Sequence, residues 1–597
     1  MNNSMREGFK TIEHTVDFCV IGGGISGMLA AISAARHGAR VLLMQDRPVL
    51  GGNASSEIRM WIRGAHGENL RETGILEEIA LENIYRNPTL NFSVWDSILY
   101  EKVRFQDGIE LLLNCSCNEA EIQDGKIASV TGWQTTTQTF HKVSAKIFAD
   151  CSGDSVLAPL TGAKWRMGRE ERTEFGEDIA PETADSCTMG QSCLLQVRET
   201  DKPVPYIPPQ WANKYTADSF PYRLNVDNPL SWQHSNFWWM ELGGVYDSIG
   251  DTETLRDELL KVVFGVWDFI KNGGQHQADN WELDWVGFLP GKRESRRYVG
   301  KYILNQNDIR AEGKFDDIVA YGGWSMDDHH PAGIATAEKP TIYHAAPSPY
   351  GIPYRCLYSE NIENLMFAGR NISATHTAMS STRVMATCGM LGQAIGTAAA
   401  IAIQEKLTPH GVYEERLHEL QQTLMADDCY LPWRNRDISE LLKNAEITAE
   451  YGDTAHLISG IDRPVGDAEN VWTAPLGTAI VLDFKGIKEI AALRLILDSD
   501  LNRQTWAEDI PSAYKDFPMR CNVFRNDVHI RMPETLVKQF SIEVDFGDGK
   551  WAEIFAEANN RRRLVHMQLK VRACRIRIVP LATWGADCAR VFGIDVR

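Results

Sequence analysis

Four histidines, His329, His330, His344 and His376, fall in the middle of the chain or just beyond it. An imidazole titrates near neutral pH and can take a proton from a hydroxyl group. Arginines cluster in the same region. "PGKRESRRYVGKY" places Arg293, Arg296 and Arg297 beside Glu294. Guanidinium forks suit carboxylate or phosphate, and they also build salt bridges along a strand. Arg383 opens a long run of small residues and adds a further cation. Asp327 and Asp328 precede two of the histidines, but sequence neighbours point apart on a strand, so no metal site is expected. Near the N-terminus, Gly22, Gly24 and Gly27 form G-x-G-x-x-G with Ile25 and Ser26 between the last two glycines. Such a turn lets backbone approach a pyrophosphate.

The elements that must position these groups are legible nearby. "VDFCVI" reads as a buried strand, "MLAAISAARHG" as a helix stopped by Gly38, and "ARVLLM" as a second strand. Strand, glycine turn, helix and strand within about 30 residues is the context in which the motif signals a dinucleotide site. The second strand ordinarily ends in an acid that meets the ribose hydroxyls. Here Gln45 takes that place and Asp46 follows, so both are candidates.

With "DRPVLGGNASSEIRMWIRGAHG" the sequence resembles the FAD-dependent oxidoreductases of the glutathione-reductase-like type. It resembles most the branch holding fumarate-reductase-like flavoproteins and a large bacterial FAD-dependent oxidoreductase family. "KIFADCSGDSVLAPLTGA" and "NLMFAGRNISATHTAMSSTRVMATCGMLGQAIGTAAAIAI" match the same pattern. The resemblance implies FAD contacts from Gly51, Gly52, Asn53, Ser55 and Arg59, then from Asp150 and Gly153. It extends them to Gly369, Arg370, Arg383 and Val384. It implies a long helix whose N-terminus meets the reduced flavin, and FAD held without a covalent bond. A base in the segment crossing the flavin ranks His376 first, with His330 and His344 after it. No second G-x-G-x-x-G follows, so no separate nicotinamide domain is expected.

The chain has 597 residues, 44% apolar and 24% charged, with 80 acidic against 61 basic side chains. That balance disfavours nucleic acid as the main partner. No membrane partner, a cytoplasmic location and scattered free thiols are expected, and a homo-oligomer is compatible with the sequence. The fold class expected is α/β: a Rossmann-like FAD domain (1–164 and 351–440, the latter with a helical linker) and an inserted α+β substrate domain (165–350). The insert carries Trp232, Trp238, Trp239, Trp267, Trp281, Trp285 and Trp324. Aromatic rings stack on sugars, though most tryptophans fill cores. Residues 441–597 alternate in period two, as in "FSIEVDF" and "RIRIV", and are expected to form an all-β sandwich. This part resembles the discoidin-like, galactose-binding jelly roll, with a structural or oligomer-contact role favoured over glycan binding. The reaction expected is hydride transfer between flavin and a small polar substrate, a carbohydrate or sugar acid. The alternatives are a redox-neutral flavoenzyme, working by elimination or epimerisation, and a carbohydrate-binding assembly protein with structural FAD.

Overall fold

Three buried four-residue strands, apolar except for the closing Asp150 of the last, set the core of the nucleotide-binding part. They are β1 (Phe18–Ile21), then, after α1 (Ile25–Arg36), β2 (Val41–Met44), and, after β3 (Ile109–Leu112), β4 (Ile147–Asp150). β1, β2 and β4 are buried along their whole length, as strands covered on both faces of a parallel sheet must be. Further along lie β5 (Met326–His329), β6 (Leu365–Phe367), α2 (His376–Thr382) and α3 (Met385–Glu405). β6 joins the sheet beyond β4, and the order is β6-β4-β1-β2-β3, every pair parallel. A second five-stranded sheet, with Phe9–Thr15 and Cys115–Gln123 among its strands, accompanies it.

α3 is long and apolar enough to cross a membrane, yet 94% of that stretch is buried inside the protein. It packs on α1 backbone to backbone. A Cβ at Gly392 would lie 2.0 Å from the Ser26 carbonyl oxygen, and one at Gly396 2.3 Å from that of Ala30. Only glycine allows helices to meet this closely. The contact fixes the first turn of α1 against α3 and holds the two helices in register.

The structure, a computed structural model, describes residues 3–6, 8–219, 222, 230, 236–508, 510, 512–520 and 522–597. Trp232 lies outside the described residues. Of the other tryptophans expected in the insert, Trp239, Trp267 and Trp281 fill a core with the helix Thr252–Asn272.

The chain forms two compact units. The first comprises residues 1–66, 89–420 and 511–528; the second comprises 67–88, 421–510 and 529–597. Neither is a continuous stretch. Within the first, the late segment is held by Trp61 Nε1 donating to the Arg520 carbonyl at 3.3 Å, by an Arg63–Asp516 ion pair, and by an edge contact of Phe517 on Trp95. The second unit holds β7 (Trp472–Pro475), β8 (Ile480–Leu497), β9 (Val537–Asp545), β10 (Trp551–Glu557), β11 (Leu564–Thr583) and β12 (Cys588–Val596). They pair antiparallel in the order β7-β12-β8-β11-β9-β10, and Glu446–Thr448 adds a strand to β8. The alternating Phe540, Ile542 and Val544 are buried, while Phe546, one residue past β9, is exposed. Asp545 Oδ1 accepts from the amides of Gly547 and Gly549 in the turn between β9 and β10.

Candidate functional site

A cavity of about 630 Å3 opens in the first unit beside the glycine turn. Gly22 has φ +98°, and a Cβ there would lie 2.5 Å from the Cys151 carbonyl group. The bare turn therefore lets α1 begin flush with the cavity, where Gly24, Ile25 and Ser26 line it. No side chain caps α1 and its first turn carries no acid. α3 is alike: Val384 is its N-cap residue, no side chain caps it, and no acid lies in its first turn. Arg383, Val384 and Met385 line the same cavity. Two helix N-termini, each with partial positive charge, thus open on one space, although in α3 the Ala386 amide already donates to the Arg63 carbonyl at 2.9 Å.

Gln45 and Asp46 both line the cavity. Gln45 is buried and already engaged: its Oε1 accepts from Gly23 N at 2.6 Å, and its Nε2 donates to the Val49 carbonyl. Asp46 is exposed. The two residues divide the work, the amide bracing the turn and the carboxylate facing outward.

Across the cavity Asp154 sits between Lys292 and Arg370, at 2.7 Å from each, and also accepts from Ser295. Burial pushes its carboxyl up, but Arg370 and Lys292 outweigh this and hold it down at about 2. Arg370 Nε is buried with no hydrogen-bond partner.

A third wall is a chain of alternating charges. Arg293 Nε lies 3.6 Å from Glu241; Glu241 accepts from His329 Nδ1 at 2.6 Å; His329 Nε2 is 3.2 Å from Asp327; and Asp327 accepts from Arg383 at 3.0 Å. Burial pushes the two carboxyls up, but the neighbouring cations hold both at about 2: Arg293 first for Glu241, His329 first for Asp327. The Asp327 contact is not hydrogen-bonded, and Nε2 of His329, like Nε of Arg383, has no hydrogen-bond partner.

Seven cationic side chains and three carboxylates line the cavity among the described residues. Of the residues expected from the sequence, Gly22, Gly24, Ile25, Ser26, Gln45, Asp46, Gly51, Gly52, Asn53, Gly153, Gly369, Arg370, Arg383 and Val384 line it. Gly27, Ser55, Arg59, Asp150, His330, His344 and His376 do not. Gly27 serves packing, since a Cβ there would stand 1.8 Å from the Gly22 carbonyl oxygen. Ser55 is wholly buried. Arg59 turns toward Gln196 and lies over the Trp285 ring at 4.2 Å. Asp150 is spent inside the fold, accepting from Ser152, Leu157 N and Tyr298.

The histidines divide in the same way. His376 begins α2, buried, with Nδ1 2.8 Å from Glu294 and Nε2 3.7 Å from Asp328. Burial would push its imidazole down, but Glu294 and Asp328 prevail and hold it at about 9. A base ranked first because its segment crosses the flavin is thus a cation locked between acids. His330 Nδ1 accepts from Ala332 N, and His344 lies on the strand paired with β5, opposite Met326. Among the described residues His329 is the histidine that lines the cavity. Period two on β5 was the available signal: Asp327 and His329 share one face, and Asp328 takes the other. Met60, Trp61, Arg63, Cys115 and Cys117 also line the cavity and were not expected from sequence to contribute.

A family model described as FAD dependent oxidoreductase matches residues 17–424. The chain belongs to this family. The oxidoreductase is an enzyme, and FAD is its cofactor. It is 55% identical over 40 residues to a fumarate reductase (cytochrome) of Shewanella frigidimarina, covering 7% of each chain. It spans less than a tenth of the length of the curated relatives it matches. Among solved structures, a geranylgeranyl bacteriochlorophyll reductase-like protein of Thermoplasma acidophilum is 12% identical, with 70% of this chain and 85% of that one covered and a TM-score of 0.31. CpGH89CBM32-5 from Clostridium perfringens, in complex with GalNAc-beta-1,3-galactose, is 14% identical over 26% of this chain and 96% of its own, with a TM-score of 0.18. Superpositions this poor bear on neither fold nor function. The residues of this oxidoreductase fit the cofactor: two helix N-termini without side-chain caps and a bare glycine turn open on one cavity.

Proposed function

We propose that this oxidoreductase moves hydride between non-covalently held FAD and a small polar substrate, with a carbohydrate or sugar acid as its class. The observation that carries this reading is the meeting of two distant glycine-rich segments on one cavity that also has a polar, charged wall. Bound FAD supplies two-electron redox chemistry. In this reading Gly22, Gly24, Ile25 and Ser26 offer amides to its pyrophosphate, and Asp46 serves the ribose. Asn53, Gly153, Gly369 and Arg370 lie along it. Val384 and Met385 at the start of α3 face negative charge on the reduced ring. The sheet of the second unit, with its buried period-two strands, we read as the discoidin-like module. The test is an anaerobic screen of the yellow holoenzyme against sugars, polyols and sugar acids. Loss of the flavin band with at least one of them is expected. A holoenzyme that dithionite reduces but no such compound bleaches overturns the substrate class.

A further inference from the structure

We propose that the wall made by Arg293, Glu241, His329, Asp327 and Arg383 is the substrate subsite. It takes a small carboxylate bearing a hydroxyl, and Nε2 of His329 exchanges the hydroxyl proton. The proposal rests on the redox reading above and names its substrate class and proton-transfer residue.

Three observations converge. First, His329 is 2% exposed at its side chain, lines the cavity, and leaves Nε2 without a hydrogen-bond partner. Its nearest acceptor, Asp327, is 3.2 Å away but outside hydrogen-bond geometry, so a ligand group in the cavity can complete the bonding of this nitrogen. Second, the ring is held from behind. Glu241 grips Nδ1 at 2.6 Å and is itself fixed by Arg293 and by the Gly190 amide at 2.8 Å. The edge of the ring packs on Trp238, and with Nδ1 engaged only Nε2 remains to meet a ligand. Third, Arg383, on the far side of Asp327, lines the same cavity and keeps its own buried Nε unpaired.

In the oxidative direction the substrate O–H bond breaks and its proton passes to His329 Nε2. The carbon gives up its hydrogen with both bonding electrons to oxidised FAD, the carbon–oxygen double bond forms, and a keto or aldehyde acid leaves. In the reductive direction the same proton returns from Nε2. Asp327, ionised, lies 3.2 Å from the same nitrogen. Glu241 and Arg293 are positioning residues.

The holoenzyme tests this with two readouts. Oxalate, which has no hydrogen to give, is titrated against the flavin absorbance, with neutral oxamide as its control. We expect oxalate to shift the spectrum and oxamide to bind at least ten-fold more weakly. Anaerobic mixing with glycolate, lactate, glycerate and gluconate then reads single-turnover bleaching. His329→Gln should keep FAD and bind oxalate within about three-fold of wild type, yet bleach about 100-fold or more slowly and lose the pH break of the wild-type rate. Equal binding of oxalate and oxamide, or His329→Gln bleaching at the wild-type rate, overturns the proposal. Bleaching by neutral polyols alone overturns the carboxylate class and spares the redox reading. A flavin that binds oxalate selectively but that no compound bleaches removes that reading and the His329 proton transfer, and spares only the anion site. Should His329→Gln lose FAD, the oxalate and oxamide comparison on the wild-type holoenzyme still decides the anion half.

Discussion

Replacing His376 by glutamine tests whether that residue is a structural cation or a base. Its ring faces Glu294 and Asp328, its backbone amide donates to Glu170, and Glu177 holds the preceding Thr375. Arg297 answers part of this charge through Glu294 and Glu170. An imidazole raised from 6.5 to about 9 binds its proton more tightly in the folded state. The stabilisation is fully present below pH 6.5 and is lost as pH rises through about 9. Its size, from the shift, is about 3 kcal/mol. The chain has two units, so global unfolding is not one transition. Release of FAD fluorescence on heating reports the first unit alone. Wild type should lose up to ~6 °C in this midpoint between pH 6 and pH 9.5, since a large unit moves only ~2 °C per kcal/mol or less. His376→Gln should start lower at pH 6 and meet the wild type near pH 9.5. Parallel curves for the two proteins would refute the ion-pair account, and an unchanged midpoint with lost turnover would return His376 to the catalytic candidates.

Gly392→Ala drives a methyl group into the Ser26 carbonyl 2.0 Å away and should cost ~1–3 kcal/mol, read as lower FAD content and a lower melting midpoint. Asp46→Ala should weaken FAD about ten-fold in a fluorescence titration of the apoenzyme while leaving its melting midpoint in place, whereas Gln45→Ala, which frees the buried Gly23 amide, should lower both. Asp154→Asn removes the acid between Lys292 and Arg370. It should destabilise the holoenzyme by ~1–2 kcal/mol at pH 7, allowing for the third of the side chain that reaches water. Because that carboxyl is depressed to about 2, the difference from wild type should narrow as pH falls below 4, followed by FAD release.

The cavity's backbone was legible because glycine spacing reports backbone approach directly. Gly22, Gly24, Gly51, Gly52, Gly153 and Gly369 reach it, 347 positions of numbering separating the first from the last. Side-chain roles were not legible, since they depend on which carboxylates fold inward. His376 lies in the segment expected to cross the flavin, yet its strand-distant neighbours Glu294 and Asp328 enclose it. Arg59 looked free to reach the ligand, but Gln196 and the Trp285 ring claim it, and burial pushes its guanidinium down to about 10. Asp150 ends a strand pointing at the cavity and is consumed by capping the turn behind it. Trp61 and Arg63 gave no sequence signal because their partners lie more than four hundred residues away.

That separation affects biosynthesis. The first unit lacks its last segment, residues 511–528, until nearly nine-tenths of the polypeptide has left the ribosome. Until then Trp61 and Arg63 line the cavity without the strap that anchors them. A nascent chain paused after Leu420 holds every glycine of the cofactor cradle, yet the cradle's rim is still untied. Chain termination before residue 511 therefore leaves that rim untied, and stop codons between residues 421 and 510 should lower cofactor loading although every cradle glycine is present.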